Sequence, residues 1–517
     1  MRILILLLGI IGLCCNAAAE EFLVRLKTPK TLAKLMESKI GNGQLKSILE
    51  GKVLRSFSFG KFEAIAIDFP AEWASRLRKN PLVADIVPNI KFNIFDENNI
   101  FTIEAANQTR CSKGKAKHIE YDGKDKTKKQ HDEEDDDDDE DDEDHYEDDE
   151  EDEEEEEDDI DDSDDPVNDI AVQTDAPRHL ARISRRGPLP YSELDEDPEK
   201  FDYYYDEDYL GYSVNAYIID TGIFKDHHQF QGRAHFGADL VGEGPGDFNG
   251  HGTHVAGIVG SEEFGVAKEV RLIEVKALNK VGQGNLTTVL SAIEFSVKHC
   301  RRSRRGCVAN LSLGSFRNTV LNQAVEAAME SGLVVVAAAG NSNANACWSS
   351  PASSPAAITV GAFDDRTDTI ARFSNWGSCV DIFAPGVTVE SLSNVPPFEP
   401  VTYSGTSMAS PIVAGLAALL LDSGVEPRDI KTAIIGLATD GVFLKRTLIF
   451  KPGTPNRIVF SGVDKEDDFF EDSKYPLVNV EELVKDLEEY NRDLRVSKDD
   501  AILPVRKRAA VTLAPWA

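Results

Sequence analysis

The sequence predicts an α/β protein: a doubly wound parallel sheet over residues 171–462, preceded by a small α+β domain over residues 20–100. Apolar runs of strand length, among them VNAYIID, VRLIEVKAL, VANLSLG, GLVVVAAAG and AAITVGAF, recur after Ala171. Helical segments such as NTVLNQAVEAAMESG lie between them, and this alternation builds parallel sheets with helices on both faces. The first hundred residues follow a different order, and this sets them apart as a domain of their own.

That order is β-α-β-β-α-β. EFLVRLK reads as a strand and TLAKLMESKI onward as a helix. VLRSFSFGKFEAIAIDF reads as two strands joined near Gly60 and Lys61, AEWASRLRKN as a helix, and VADIVPNIKFNI as one last strand. The pattern is ferredoxin-like. Ahead of it, Met1 and Arg2 precede the apolar run ILILLLGIIGL and the small residues Ala17, Ala18 and Ala19. Residues 1–19 are therefore expected to be a secretory signal peptide, cleaved after Ala19. No other apolar run has membrane-spanning length, so the processed chain is expected to be soluble, in the secretory pathway, a vacuole-like compartment, the cell wall or outside the cell.

The chain of 517 residues carries a formal charge of −35. Between Asp132 and Asp165 only His145, Tyr146, Ile160 and Ser163 interrupt the carboxylates, so this stretch alone holds 30 acidic residues. The rest of the chain is close to neutral, and the low isoelectric point belongs to the tract. Such a block cannot bury a core, so residues 101–170 are expected to form a disordered acidic linker. Its sign excludes a nucleic-acid partner. Two roles remain open for it, a solubilising spacer or a charged brake on maturation. Residues 463–517 form a C-terminal extension with one amphipathic stretch, VNVEELVKDLEEYNRDL, and a basic VRKR.

Chemistry is concentrated in GTSMASP, Gly405 to Pro411, which precedes the helical run IVAGLAALLL. Ser407 lies at the start of that helix, where unpaired backbone N–H groups and the helix dipole favour negative charge. Serine is also an ordinary N-cap, so the argument needs partners. Asp220 closes the apolar strand YIID, and His251 stands between Gly250 and Gly252 ahead of another apolar helix. The chain order is Asp, His, Ser, and a GxSxG elbow is absent because Ala409 is the fifth residue of GTSMA.

YIIDTGI, NGHGTHVAG, AAAGNSN and SGTSMASP together resemble the subtilisin-like serine proteases, with the flanking residues most similar to the proteinase K branch. The resemblance covers about residues 171–461. It implies Asp220, His251 and Ser407 as a catalytic triad and Asn341 as an oxyanion-hole donor. It implies that Gly282, Gly284, Ser312, Leu313 and Gly314 bind an extended peptide, and that residues 20–100 are an inhibitory propeptide, removed with the acidic linker before Ala171. Asp381, with the carbonyls of Pro355 and Ala357, matches a calcium site in proteinase K-like enzymes; the chemistry itself needs no cofactor. His254, three residues after His251, offers a weaker zinc candidate without a third ligand.

Once Cys14, Cys15 and Cys111 leave with the signal and pro-region, four cysteines remain and allow three pairings. The resemblance implies Cys347 with Cys379, which leaves Cys300 with Cys307. Relatives pair the latter region with a cysteine where this chain has Asn215. Asn107, Asn285 and Asn310 are sequons, of which Asn107 and Asn285 are the expected glycosylation sites. The expected protein is a secreted, monomeric serine endopeptidase made as a zymogen, with protein substrates, broad specificity and its own propeptide as inhibitor. A catalytically idle relative is the competing expectation.

Overall fold

The computed structural model describes residues 20–40, 43–49, 51–94, 170–190 and 200–463. The signal peptide, the acidic linker up to residue 169, Asn107 and the C-terminal extension beyond residue 463 lie outside the described residues. Among the described residues, no helix is long and apolar enough to cross a membrane.

The N-terminal domain comprises β1 (Glu20–Leu26), α1 (Leu32–Glu37), β2 (Val53–Phe59), β3 (Phe62–Phe69), α2 (Ala71–Leu77) and β4 (Val83–Pro88). Its antiparallel sheet runs β2-β3-β1-β4. Alternation decides which side chains go where: Val24, Ile65 and Ile67 pack with Leu35 and Leu77 in the domain's own core. Leu23, Ala64 and Ala66, one residue out of phase, face the larger domain. Two details differ from the sequence expectation. The first helix stops at Glu37, followed by a short hairpin (Lys39–Ile40 with Gly43–Gln44) and a short helix (Leu45–Leu49). The last strand is also divided. Pro88 has no N–H to continue the ladder, Asn89 N donates back to Glu21 O and Ile90 N to Pro88 O. The chain leaves the sheet there and re-forms as β5 (Lys91–Ile94), paired elsewhere.

The larger domain opens with β6 (Ile170–Pro177), α3 (Arg178–Ile183) and β7 (Lys200–Asp206). Next come β8 (Val214–Asp220), β9 (Ala234–Asp239), α4 (His251–Gly260), β10 (Arg271–Lys276), β11 (Gln283–Asn285) and α5 (Leu286–Cys300). Then follow β12 (Gly306–Leu311), β13 (Leu313–Phe316), α6 (Thr319–Glu330), β14 (Val334–Ala338), β15 (Ser349–Ser350), β16 (Ile358–Asp364) and β17 (Ile382–Pro385). α7 (Thr406–Asp422), α8 (Ile430–Leu437), β18 (Thr439–Asp440) and β19 (Arg457–Ile458) complete it. The large sheet runs β9-β10-β8-β12-β14-β16-β17-β19-β18, parallel as far as β19.

Helices cover both faces. Along β8, Ala216 and Ile218 pack beneath α4 and α7, whereas Tyr217 and Ile219 pack beneath α5 and α6. The strand order reverses at β8, with β10 on one side and β12 on the other, so the carboxyl end of β8 opens into the crevice where doubly wound sheets place their ligands. Local chemistry starts the covering helices: Asn285 makes a capping box with Thr288 at α5, and the Asn318 side chain accepts from Leu321 N at α6.

α3 is fixed by two buried ion pairs. Arg182, fully buried, meets Asp368 through Nε and Nη2 at 3.0 and 2.8 Å, and Arg178 Nε meets Asp365 at 3.0 Å. A guanidinium held by two parallel bonds out of water depends on its counter-charge. Asp368→Asn is expected to cost about 3–5 kcal/mol, because it leaves that charge buried and uncompensated. Arg182→Met with Asp368→Asn is expected to recover most of the loss, and thermal denaturation of the two variants checks both.

Candidate active site

β8 delivers Asp220 to the crevice as its last residue, fully buried. Its Oδ1 lies 2.7 Å from His251 Nδ1 and also accepts from Thr221 N at 2.7 Å. His251 is the first residue of α4 and Ser407 the second of α7. Ser407 Oγ donates to the carbonyl of Ser312, just past the end of β12, so both helices begin at the carboxyl edge of the sheet. A Cβ at Gly415 would come within 3.2 Å of the Val259 carbonyl oxygen, and these two residues each stand eight positions beyond Ser407 and His251. The two helices thus start at one edge of the sheet and touch at equal depth. Asp220, bonded to His251, and Ser407 are drawn to that edge from three distant stretches.

Pro411 shapes the surroundings of Ser407. It lies inside α7 and cannot donate to the carbonyl four residues back, which is that of Ser407. Ser312 Oγ fills the vacancy, donating to Ser407 O at 2.8 Å, and in turn accepts from Asn310 Nδ2 at 2.9 Å. Ser410 Oγ donates to Asn310 Oδ1 at 2.6 Å. Asn310 is therefore buried and engaged, which removes its sequon from use. Asn341 follows the turn after β14, and its Oδ1 accepts from both Thr406 N and Thr406 Oγ1, at 2.9 and 2.8 Å. Its Nδ2 is thereby the end turned away from Thr406, on the residue next to Ser407.

A knot around Asp247 holds the histidine. That buried carboxylate accepts from Thr221 Oγ1, Asn249 N, Gly250 N, Thr253 N and Thr253 Oγ1. Thr221 Oγ1 accepts from Gly252 N at 2.9 Å, and a Cβ at Gly252 would lie 2.1 Å from the Gly222 carbonyl. Glycine is required there because the helix start touches backbone. Lys276, in register with Asp220 and fully buried, donates to Thr221 O and Gly246 O at 2.9 Å each. Asp247, Thr221 and Lys276 were missed in the sequence; the DFNGHGT spacing carried a signal for Asp247 alone. His254 is no zinc ligand: its Nε2 faces Val401 O at 3.0 Å, its ring stacks on Tyr403, and burial drives its pKa down to about 3.

The two segments expected to bind a peptide are also brought together, by β5. β5 runs antiparallel between β11 and β13, pairing Asn93 with Gln283, Phe92 with Gly284, Ile94 with Leu313 and Asn93 with Gly314. Ile94 N donates to Gly282 O at 3.1 Å, and a Cβ at Gly282 would press on Ile94 Cδ1 at 2.9 Å. The N-terminal domain adds Ser58 N to Glu294 Oε1 (2.8 Å) and Asn89 Oδ1 from Thr287 N (3.0 Å) on α5. Cys300–Cys307 and Cys347–Cys379 are both bonded, with Cα–Cα distances of 6.0 and 5.3 Å. Asn285 is half-buried, and its Oδ1 caps α5.

Asp381 and the carbonyls of Pro355 and Ala357 do converge, but on the ammonium of Lys431. These oxygens are already matched to a cation, and they do not fit calcium as well.

Glu274 on β10 is buried; its Oε1 accepts from Gly246 N at 2.7 Å, while Oε2 has no hydrogen-bond partner among the described residues. Burial raises its pKa to about 7. A carboxyl whose pKa is raised on folding favours the folded state at low pH. Its contribution is full below about 4.5 and is lost as pH rises through about 7. Glu274→Gln is expected to flatten the fall in stability across that window, and denaturant midpoints measured from pH 4.5 to 8 check it.

Residues 214–458 match the subtilase family, peptidase S8. The subtilase-type proteinase RRT12 of Saccharomyces cerevisiae is 46% identical over 493 residues, spanning 94% of this chain and 91% of that protein. The subtilisin-like serine protease Rho m 2.0101 of Rhodotorula mucilaginosa is 40% identical over 314 residues, 57% of this chain and 88% of that protein. Among solved structures, a cold-adapted subtilisin-like serine proteinase is 38% identical, with a TM-score of 0.49, covering 56% of this chain and all of that one. The chain belongs to the subtilase family and is a subtilisin-like serine endopeptidase.

Proposed function

We propose that the protein is a zymogen in which residues 20–94 occupy the active-site cleft as an intramolecular inhibitor, and that Asp220, His251, Ser407 and Asn341 perform the hydrolysis once they leave. The observation that carries this is β5. An extended segment of the chain lies between β11 and β13 in a register that runs toward Ser312, whose carbonyl accepts from Ser407 Oγ. A protein substrate would take the same place, adding itself as a strand. Most of that recognition is main-chain hydrogen bonding, which supports broad specificity.

In the proposed mechanism His251 accepts the Ser407 proton as Oγ attacks the substrate carbonyl. Asp220 holds Nδ1 protonated and stabilises the imidazolium. The Asn341 amide and the Ser407 N–H bind the oxyanion, His251 gives its proton to the leaving amine, and water then repeats the sequence on the acyl-enzyme. The two disulfides support maturation in an oxidising compartment, consistent with a signal peptide over residues 1–19.

A fluorophosphonate probe is expected to label Ser407 after residues 1–170 are removed and to label the intact chain far more slowly; equal labelling of both forms would disprove the inhibitor role. Phe92→Asp, which places a charge at a fully buried position of β5, is expected to speed labelling of the intact chain. Asn341→Ala is expected to lower turnover by about 10²–10³, the size known for the same kind of donor in subtilisin, with KM little changed. Steady-state kinetics separate the two constants.

A further inference from the structure

We propose that Lys431 is a built-in cation that replaces calcium where β16, β17 and α8 meet, so that this part of the fold is held without a metal. Three oxygens surround the ammonium: Asp381 Oδ2 at 2.8 Å, Ala357 O at 2.8 Å and Pro355 O at 3.1 Å. A lysine ammonium has three N–H donors and no acceptor, so this set satisfies it completely. The spacings are those of N–H···O bonds; calcium binds oxygen at about 2.3–2.6 Å and takes six to eight ligands. An ion bonded to the same three oxygens would need the space that the ammonium holds, and the two cations would repel.

The position of Lys431 in its own helix points the same way. It is the second residue of α8, where the helix dipole disfavours positive charge. Three-quarters buried, it gains nothing from the helix and everything from the oxygens beside it. Those oxygens belong to segments that need joining. Pro355 and Ala357 lead into β16, and Asp381 leads into β17. Asp381 Oδ2 also accepts from Thr359 N at 2.8 Å, and Asp381 N donates to Thr359 O at 2.9 Å. Lys431 therefore ties α8 to the entrances of two neighbouring strands, and neutralises the carboxylate that a divalent ion would otherwise attract.

The test uses the full chain carrying Ser407→Ala to prevent self-cleavage, with thermal midpoints measured in chelator, in millimolar calcium and in millimolar magnesium. The parent is expected to show only the small calcium response that its exposed carboxylates give. Adding Lys431→Ala is expected to lower the midpoint in chelator by about 3–8 °C, and calcium, not magnesium, is expected to restore most of it. Adding Asp381→Asn to that variant is expected to abolish the restoration. Asp381→Asn alone, with Lys431 intact, is expected to lower the midpoint equally in chelator and in calcium, which keeps the test informative even if Lys431→Ala does not fold. A calcium response of equal size in the parent and in Lys431→Ala, or an Asp381→Asn loss seen only in calcium, would overturn the proposal.

Discussion

Pro411 removes one hydrogen bond from the middle of a buried helix, and much of the site is built around the carbonyl it leaves. An unpaired carbonyl in that setting is costly, because α7 is buried from Thr406 to Ala418 and water does not reach it. The Ser312 hydroxyl satisfies it, and Asn310 and Ser410 complete the network. One missing N–H thus fastens α7, which carries Ser407, to the junction of β12 and β13. The same residue, Ser312, then offers its carbonyl to Ser407 Oγ, so β13 and Ser407 are positioned by a single contact region.

Charge burial repeats this pattern around the crevice. Asp247 accepts five hydrogen bonds, from Thr221 after β8, from Asn249 and Gly250 before α4 and twice from Thr253 in the first turn of α4, and Lys276 donates to the loops at Thr221 and Gly246. Each group is expensive to bury alone and inexpensive once its partners are fixed. Such networks resist partial rearrangement, since losing one partner strands the others. The placement of the His251 imidazole against Asp220 follows from them.

The N-terminal domain meets the catalytic domain through two different kinds of contact. Its sheet lies against α5 and α6 through side chains such as Phe57, Phe59 and Phe62, which share the core of that face. Its last strand pairs with β11 and β13 through main-chain bonds. Because both belong to one chain, the strand is presented at high effective concentration and need not bind tightly by itself. The break at Pro88 makes the double engagement possible, for a strand that continued unbroken would stay in its own sheet.

Period and punctuation in the sequence determined the elements: near-continuous apolar runs gave buried parallel strands, and the helical spacing of NTVLNQAVEAAMESG gave a helix that covers them. Local pattern also singled out Asp220, His251 and Ser407, since glycines and small residues that permit close backbone approach are visible in the sequence, and the resemblance to the subtilisin-like proteases added Asn341. Tertiary structure alone decided what met what. Lys431 reads as a solvated charge on a helix, and only the packing of α8 against residues 50 to 76 positions earlier turns it into the cation of a three-oxygen site. Lys276 and Glu274 sit in an otherwise apolar strand run, where nothing local shows that loops from β8 and β9 will cover them. The physical reason is range. Backbone conformation responds to neighbours in sequence, whereas the partners of a buried charge are set by the crossing of distant segments.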